Sequence, residues 1–278
     1  MNIHPPEPQE FSAGKLVPEQ DGPDRFSVAV GGGTAELYCS ISPDKSVDNQ
    51  DSLLVIELDD DRCVLAVADG AGGIQGGRRA ARLALQTMRD QILSVPNEGD
   101  ELRSAVIHAM DIANQAVVAE TRGAACTLTA VAIAGRMARV FHVGDSVALI
   151  TGQRSTVKLH TVAHSPVGFA LAAGFLNEQD AMFHPERHVV SNFVGTHEMM
   201  IEVGSPIKLA RHDSVLLASD GLTDNLFTDE ITDIMRRGQI ATAVDRLVDR
   251  THRRMLRQDQ TVPGKADDLA IILYRKPD

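Results

Sequence analysis

Short runs of hydrophobic residues, rich in Val, Ile, Leu and Ala, recur along the chain from residue 26 onwards. Runs of this kind, bounded by Gly, Asp and other polar residues, are typical of β-strands. The strands predicted in this way are 26–30, 35–40, 53–58, 63–68, 125–134, 138–143, 147–151, 157–162, 214–219 and 269–274. The predicted strands outnumber the predicted helices, so we expect a mixed protein dominated by sheet.

Hydrophobic residues at every third or fourth position predict helices between these strands. The predicted helices are 77–93, 100–121, 228–237 and 240–256, with weaker helical patterns over 165–186. The first has Ala80, Ala84, Met88 and Ile92 on one face, and the second follows so soon that we expect the two to pack antiparallel. Asn177 is a candidate N-cap in the weaker region.

Two features of the strands predict how the sheets are arranged. The run 63–68 is hydrophobic at every position, which indicates a strand that is covered on both faces. The runs 125–134 and 138–143 are joined by the short turn at Gly135 and Arg136, which indicates antiparallel pairing. We therefore predict an α+β fold, a four-layer α-β-β-α sandwich in which two antiparallel sheets pack face to face with helix pairs outside.

Residues 1–24 are rich in Pro and acidic residues and poor in hydrophobic ones. Such a segment buries too little apolar surface to offset the entropy lost on ordering, so it is predicted to be a flexible N-terminal tail. No internal repeat, low-complexity tract or linker divides the remainder, so residues 25–278 are predicted to form a single domain.

Charge and composition restrict the partners and the location of the protein. Its 278 residues include 27 Lys and Arg against 38 Asp and Glu, a formal net charge of −11. This negative field repels phosphodiester backbones and acidic membranes, so we expect neither nucleic acid nor membrane as a partner. No signal-peptide or membrane-span pattern is found, which predicts a cytoplasmic protein. Cys39, Cys63 and Cys126 lie far apart in apolar runs and are predicted to be core residues.

Two predicted strands end in Asp-Gly, at Asp69-Gly70 and at Asp220-Gly221. An isolated Asp-Gly pair is typical of a hairpin turn. Here, however, the first pair is followed by a glycine-rich loop and the second by Leu-Thr-Asp, and each then leads into a predicted helix. A carboxylate at a strand end beside a loop of small residues is a candidate ligand for a hard metal ion, because the backbone can approach the ion closely.

Further acidic residues stand beside other predicted strands. Asp51 precedes 53–58, Asp145 follows 138–143, and Asp267 and Asp268 precede 269–274. Each of these acids by itself is typical of a solvated turn. Their shared position beside predicted strands favours a common site. Oxygen ligands without a matching His or Cys set favour Mg²⁺ or Mn²⁺ over Zn²⁺, and two such ions close together suit phosphoryl hydrolysis.

Six short motifs follow one another in a defined order. They are Asn49-Gln50-Asp51, Asp69-Gly70-Ala71-Gly72-Gly73, Gly123-Ala124-Ala125-Cys126-Thr127, Phe141-His142-Val143-Gly144-Asp145-Ser146, Ser219-Asp220-Gly221-Leu222-Thr223-Asp224 and Asp267-Asp268-Leu269-Ala270. With this order and spacing the chain resembles the bacterial form of the metal-dependent Ser/Thr protein phosphatases, type 2C. Residues 165–195 are similar to the flap segment of that family.

The resemblance implies a metal centre with two Mn²⁺ or Mg²⁺ ions. Asp69 would bridge the ions and the Gly70 carbonyl would bind one of them. Asp220 and Asp267 would hold the other, and Asp51 would act through a metal-bound water.

Asp145 would belong to a third, weaker metal position, again by resemblance. The implied reaction is direct attack of a metal-bridging hydroxide on the phosphorus of phosphoserine or phosphothreonine in proteins. The residues implied in catalysis, through metal-bound water, are Asp51, Asp69, Asp220 and Asp267. The implied partners are phosphorylated protein substrates and a cognate Ser/Thr kinase, and we expect a monomer.

The chain departs from the family pattern near the phosphate. Ser46 stands where the family places an Arg that grips the phosphate, and the neighbouring Lys45 could supply charge but not a bidentate fork. Gln50 replaces an acid, and Asp268 replaces an Asn. These departures leave open an alternative, a pseudophosphatase that acts as a phosphoprotein-binding or regulatory module.

Overall fold

The computed structural model describes residues 9–10, 14, 16–17, 23–46, 48–71, 74–94, 101–121, 123–259, 262 and 264–277. The strands are β1 (Gln9–Glu10), β2 (Leu16–Val17), β3 (Asp24–Val30), β4 (Gly33–Ser40), β5 (Asp51–Asp59), β6 (Arg62–Ala71), β7 (Ala125–Cys126), β8 (Leu128–Ala134), β9 (Met137–Val143), β10 (Val147–Thr151), β11 (Val157–His160), β12 (Glu202–Val203), β13 (Ile207–Lys208), β14 (Ser214–Ala218) and β15 (Leu269–Arg275). The helices are α1 (Ile74–Ser94), α2 (Glu101–Glu120), α3 (Pro166–Ala172), α4 (Glu178–Met182), α5 (Asp220–Thr223), α6 (Thr228–Met235) and α7 (Ile240–Met255).

The described strands form two sheets. One has the order β1-β3-β4-β15-β14-β10-β11. The other has the order β12-β9-β8-β6-β5-β2, with β13 also beside β9 and β7 also beside β6. The neighbours named here pair antiparallel, apart from β1, which runs parallel to β3.

Strand β6 is buried on both faces, as its uninterrupted apolar run predicts. Successive side chains of a strand point to opposite faces, so two different cores receive them. The side chains under helices α1 and α2 are Val64, Ala66 and Ala68. The side chains between the two sheets are Cys63, Leu65 and Val67.

Strand β15 divides its side chains in the same way on the other side of the molecule. Ala270 and Ile272 point into the core between the sheets, whereas Leu269 and Ile271 pack under α5, α6 and α7. The order of layers is therefore helices, sheet, sheet, helices, which confirms the predicted α-β-β-α sandwich. Cys39, Cys63 and Cys126 are buried free thiols, as predicted.

The strand predicted over 125–134 is interrupted at Thr127. The Thr127 amide donates to the Asp69 carbonyl at 2.8 Å, and its Oγ1 accepts a hydrogen bond from the Asp69 amide at 3.1 Å. A threonine hydroxyl that bonds to backbone competes with the regular strand ladder, which explains the break. The two hydrogen bonds with Thr127 hold the backbone of Asp69 in place.

The segment predicted to be a flexible tail contributes to both sheets where it is described. Strand β2 pairs with Leu53 and Leu54 of β5, and β1 runs beside β3. Leu16 and Val17 are buried, because these two apolar residues complete the core at the edge of a sheet. The rest of 1–24, apart from Gly14, Pro23 and Asp24, lies outside the described residues. Among the described helices, none is both long and apolar enough to cross a membrane.

Arg25 is a charged residue inside the sandwich. Its side chain is 2% exposed and pairs with Glu36 of β4 at 3.3 Å and with Asp245 of α7. It also donates to the Ala241 carbonyl at 3.0 Å. Because a buried guanidinium needs such partners, Arg25 joins β3, β4 and α7 into one packed unit.

Candidate metal centre

Asp51 and Asp69 face each other across two neighbouring strands. They are directly paired in the register of β5 and β6. Like charges in such a pair repel, so this register is unfavourable unless a cation or a proton compensates. Ser219 donates to Asp51 Oδ2 at 2.6 Å and accepts a hydrogen bond from the Ala270 amide at 3.0 Å. Asp51 is thus held by a residue of the opposite sheet.

The other acids come from strand ends of the seven-stranded sheet. Val147 of β10 pairs with Ala218 of β14, so Asp145, two residues before, and Asp220, two residues after, lie at the same edge. Asp267 precedes β15, which pairs with β14 antiparallel at that edge. The fold therefore brings the acids of both sheets to one edge of the sandwich. Neither Asp-Gly pair forms a hairpin turn, because β6 leads towards α1 and Asp220 begins α5.

The buried acids at this edge have raised pKa values. Burial raises the pKa of the Asp51 and Asp69 carboxyls well above the usual range, and the charges of neighbouring acids raise it further. Burial also raises the pKa of Asp145 to about 8, and the nearby charge of Asp220 adds to this shift. Acids in this condition either keep their protons or need cations beside them.

One cation is supplied by the chain itself. The Lys265 ammonium lies 2.7 Å from Asp220 Oδ2, 2.8 Å from Asp224 Oδ2 and 2.9 Å from Asp267 Oδ2. Although burial lowers the pKa of Lys265, the charges of these acids outweigh that effect and raise it above its usual value. Lys265 is therefore a fixed positive charge.

The donor set fits hard divalent ions. Carboxylate oxygens and a backbone carbonyl are the ligands that Mg²⁺ and Mn²⁺ prefer. Among the described residues, no group of three His, Cys, Asp or Glu side chains already has metal-coordinating geometry. In the arrangement described, the Asp220 and Asp267 oxygens face Lys265 instead.

Glycines allow the backbone to approach closely at both Asp-Gly pairs. A Cβ atom on Gly70 would overlap the Gly77 carbonyl of α1, and a Cβ atom on Gly221 would overlap the Asp268 carbonyl oxygen. The glycine after each acid is therefore packed against backbone from another element. This packing is the local reason for glycine after each acid.

We expect Gly221→Ala to lower the free energy of unfolding by about 2 kcal/mol, because the methyl group forces the Asp268 backbone to move. For a chain of this size, that loss corresponds to a fall in Tm of about 4 °C. The matched control is Gly152→Ala, whose Cβ would make ordinary contact with Asp213 Oδ1 at 3.5 Å. Equal Tm values for the two variants in differential scanning fluorimetry would contradict this account.

Lys45, the candidate phosphate contact, is engaged by an acid. Its Nζ lies 2.9 Å from Asp268 Oδ2, and Asp268 also accepts from the backbone amides of Ser42 at 2.8 Å and Gln50 at 2.9 Å. Asp268, which replaces the Asn of the family pattern, thus ties the 42–50 segment to β15. Ser46 is exposed on that segment.

A cavity of about 480 Å³ lies between the acidic edge and the flap helices α3 and α4. Asp145, Asp220 and Asp224 line it, and Leu171 and Met182 contribute apolar surface. The flap begins with Ser165, whose side chain caps α3 by accepting from the Gly168 amide. Asn177 caps α4 as predicted, accepting from the Asp180 amide at 2.8 Å.

His142 connects the strand before Asp145 to the chain that leads into the flap. Its Nδ1 bonds to Thr129 Oγ1 at 2.8 Å, and its Nε2 lies 3.2 Å from the Val162 carbonyl. Burial lowers the pKa of His142 to about 3, so the ring is neutral at pH 7. These partners make His142 a structural residue rather than a metal ligand.

Comparison with known proteins decides the family. The sequence profile of the family described as protein phosphatase 2C matches residues 44–270. The chain belongs to the protein phosphatase 2C family. Within that family, the protein phosphatase PhpP of Streptococcus pneumoniae is 30% identical over 203 residues, which are 69% of this chain and 80% of PhpP.

Solved structures agree with this assignment to the protein phosphatase 2C family. The PPM Ser-Thr phosphatase MsPP from Mycobacterium smegmatis, in complex with cacodylate, is 25% identical with a TM-score of 0.70, covering 87% of this chain and 97% of MsPP. The catalytic domain of the serine/threonine protein phosphatase PstP, in complex with two manganese ions, is 23% identical with a TM-score of 0.70, covering 88% of this chain and 98% of that domain.

For this member of the 2C family, the structure brings together the acids that the sequence singled out. Lys265 and Asp224 were not singled out as site residues, although both lie within the acidic cluster. A lysine two residues before a strand acid is a weak signal, because only the fold reveals that residues 220 and 224 are its neighbours. Gly72 and Gly73 of the glycine-rich loop lie outside the described residues.

Proposed function

We propose that this protein hydrolyses phosphoserine and phosphothreonine monoesters in proteins with the help of divalent metal ions. The observation that carries the proposal is the gathering of strand-end acids from both sheets at one edge, beside a cavity. Membership of the protein phosphatase 2C family supports the same reaction class. The reaction adds water to phosphorus and releases inorganic phosphate and the Ser or Thr hydroxyl.

Asp69, Gly70, Asp51, Asp220 and Asp267 would hold two Mn²⁺ or Mg²⁺ ions. Asp145 would contribute to a third position. Such ions neutralise charge on the phosphoryl oxygens and activate a water molecule at neutral pH. Because the pKa of the Asp51 and Asp69 carboxyls is raised by burial and by other acids, cations beside them would favour the ionised forms that ligation needs.

The surrounding residues orient these acids. Ser219 fixes one oxygen of Asp51 through its 2.6 Å hydrogen bond. Thr127 holds the Asp69 backbone, and its hydroxyl contacts Ser146 at 2.7 Å, next to Asp145. Positioned ligands of this kind reduce the reorganisation needed during reaction.

The cavity beneath the flap offers a place for the residues that flank the phosphorylated side chain. Its apolar wall suits hydrophobic substrate side chains, and its acidic end lies at the proposed metal ligands. Lys45 remains the candidate phosphate contact on the 42–50 segment. Because Asp268 already pairs with it, we expect this contact to be weak.

The test is hydrolysis of p-nitrophenyl phosphate and of a phosphothreonine peptide by the purified chain. We expect turnover with Mn²⁺ or Mg²⁺ and none with EDTA, and restoration when metal is added back. A folded protein that hydrolyses neither substrate with any divalent metal would contradict the enzyme and favour the phosphoprotein-binding alternative.

We propose that the substrates are phosphoproteins made by a cognate Ser/Thr kinase, and that the enzyme acts in the cytoplasm as a monomer. The net charge of −11 disfavours nucleic acid as a competing ligand.

A further inference from the structure

Lys265 occupies a cation position within the acidic cluster. Its ammonium contacts three carboxylates, of Asp220, Asp224 and Asp267, at 2.7 to 2.9 Å. The side chain is only 27% exposed, so solvent weakens these contacts less than it would on the surface. The contact with Asp220 is an aligned hydrogen bond, and the other two are ion pairs.

The fold holds the backbone of Lys265 in place. Asn225, which is fully buried, donates to the Lys265 carbonyl at 2.9 Å and accepts from the Lys265 amide at 3.0 Å. The same Asn225 amide group lies 2.9 Å from the Gly221 carbonyl. The Asn225 side chain therefore ties the Lys265 backbone to α5, the helix that begins with Asp220. These hydrogen bonds position Lys265 so that its ammonium reaches the acidic cluster.

Two of the three acids are also the proposed ligands of one metal ion. An oxygen that faces an ammonium at 2.7 Å cannot also bind a divalent ion without placing two cations within a few ångströms of each other. Repulsion at such distances is strong in a partly buried site. Binding of a metal ion at Asp220 and Asp267 is therefore opposed for as long as Lys265 stays in this position.

We propose that Lys265 is a tethered cation that competes with the metal ion at Asp220 and Asp267. It holds these acids together with Asp224 before metal binds, and it sets the concentration of free metal that is needed to displace it. The proposal rests on the metal assignment made under the proposed function. Lys265 thereby controls how fully the metal site at Asp220 and Asp267 is occupied.

The first test measures Mn²⁺ binding by isothermal titration calorimetry. We expect Lys265→Met to bind the Mn²⁺ ion at Asp220 and Asp267 about tenfold more tightly than the native protein, since a competitor worth about 1.4 kcal/mol is removed. The matched control is Lys158→Met. Lys158 is 29% exposed and pairs with buried Asp213, which precedes the far end of β14. The control should leave Mn²⁺ affinity unchanged.

The second readout is thermal stability with and without metal. In EDTA, Lys265→Met should lower the Tm by about 3 °C or more, because three acids lose their shared cation. At saturating Mn²⁺ this difference should vanish or change sign. A purely structural ion pair predicts instead the same loss under both conditions and no gain in metal affinity, and that result would overturn the proposal.

A measurement on the native protein avoids dependence on the variant. Acetic anhydride labels accessible lysines, and peptide mass spectrometry reports the labelled fraction of each. We expect Lys265 to be labelled several-fold faster after Mg²⁺ is added, while Lys158 is unchanged. Equal labelling of Lys265 with and without Mg²⁺ would show that metal does not displace it.

These outcomes are separable from those of the proposed function. If the protein binds Mn²⁺ but hydrolyses no phosphoester, the phosphatase proposal fails while the competition at Lys265 can still be read from affinity. If neither the native protein nor Lys265→Met binds Mn²⁺, no competition exists and this inference is wrong. If only Lys265→Met binds the ion at Asp220 and Asp267, the inference is supported in its strongest form.

Discussion

Replacing Asp69 by Asn is expected to slow hydrolysis of a phosphothreonine peptide about a thousandfold at saturating Mn²⁺, a loss of about 4 kcal/mol of transition-state stabilisation. Asparagine keeps the shape of the side chain but removes the charge opposite Asp51 in the β5–β6 register. The proposed bridge between two ions would thereby lose its anionic ligand. Steady-state kinetics of the purified variant measure the effect.

The same variant should be more stable than the native protein when metal is removed. The pKa of Asp69 is raised in the folded state, so its contribution to stability is present at low pH and is lost as pH rises above the usual Asp range. Asparagine does not titrate. The gain in Tm in EDTA should therefore be larger at about pH 8 than at about pH 5.

The control for both effects is Asp233→Asn, at an exposed acid of α6 that pairs with Arg236. We expect its activity to stay within about twofold of the native value, since exposed ion pairs contribute little. An Asp69→Asn protein that retains native turnover would contradict the proposed metal centre.

Replacing the buried Arg25 by Met is expected to destabilise the fold by about 3 kcal/mol or more, because Glu36 is then left buried without its cation. The corresponding fall in Tm is about 5 °C for a chain of this length. Chemical denaturation followed by far-UV circular dichroism measures the change. At temperatures where the variant is folded, its turnover should match the native enzyme, since the partners of Arg25 are not among the proposed metal ligands.

Arg253→Met supplies the matched control for the buried arginine. Arg253 is 61% exposed and pairs with Asp249 on the surface of α7. We expect a change below about 0.5 kcal/mol, as for other exposed pairs. Similar losses for the two variants would mean that the burial of Arg25 has no special role.

The fold could be predicted from the sequence because its central strands are uninterrupted runs of apolar residues. Strand β6 is apolar at each position from 63 to 68, and that alone indicates a strand between two cores. The strand-end acids Asp69 and Asp220 were visible for the same reason, since a polar residue at the end of an apolar run needs an explanation. The family motifs then connected these acids to one site.

Partnerships between distant residues were not accessible in this way. Lys45 was expected to contact phosphate, but the fold places Asp268, which lies 223 residues later, within an ion pair of it. Lys265 and Asn225 likewise acquire their roles only when α5 and β15 meet at one edge. Thr127 broke a predicted strand because its hydroxyl bonds to a backbone amide 58 residues away.

The acids of the centre come from both sheets, with Asp51 and Asp69 on one and Asp145, Asp220 and Asp267 beside strands of the other. The centre therefore exists only while the two halves of the sandwich are assembled. A fragment that retains one sheet would keep only some of the proposed metal ligands, however well it folded. We therefore expect phosphatase activity to disappear when either sheet unfolds, even while the rest of the chain is still folded.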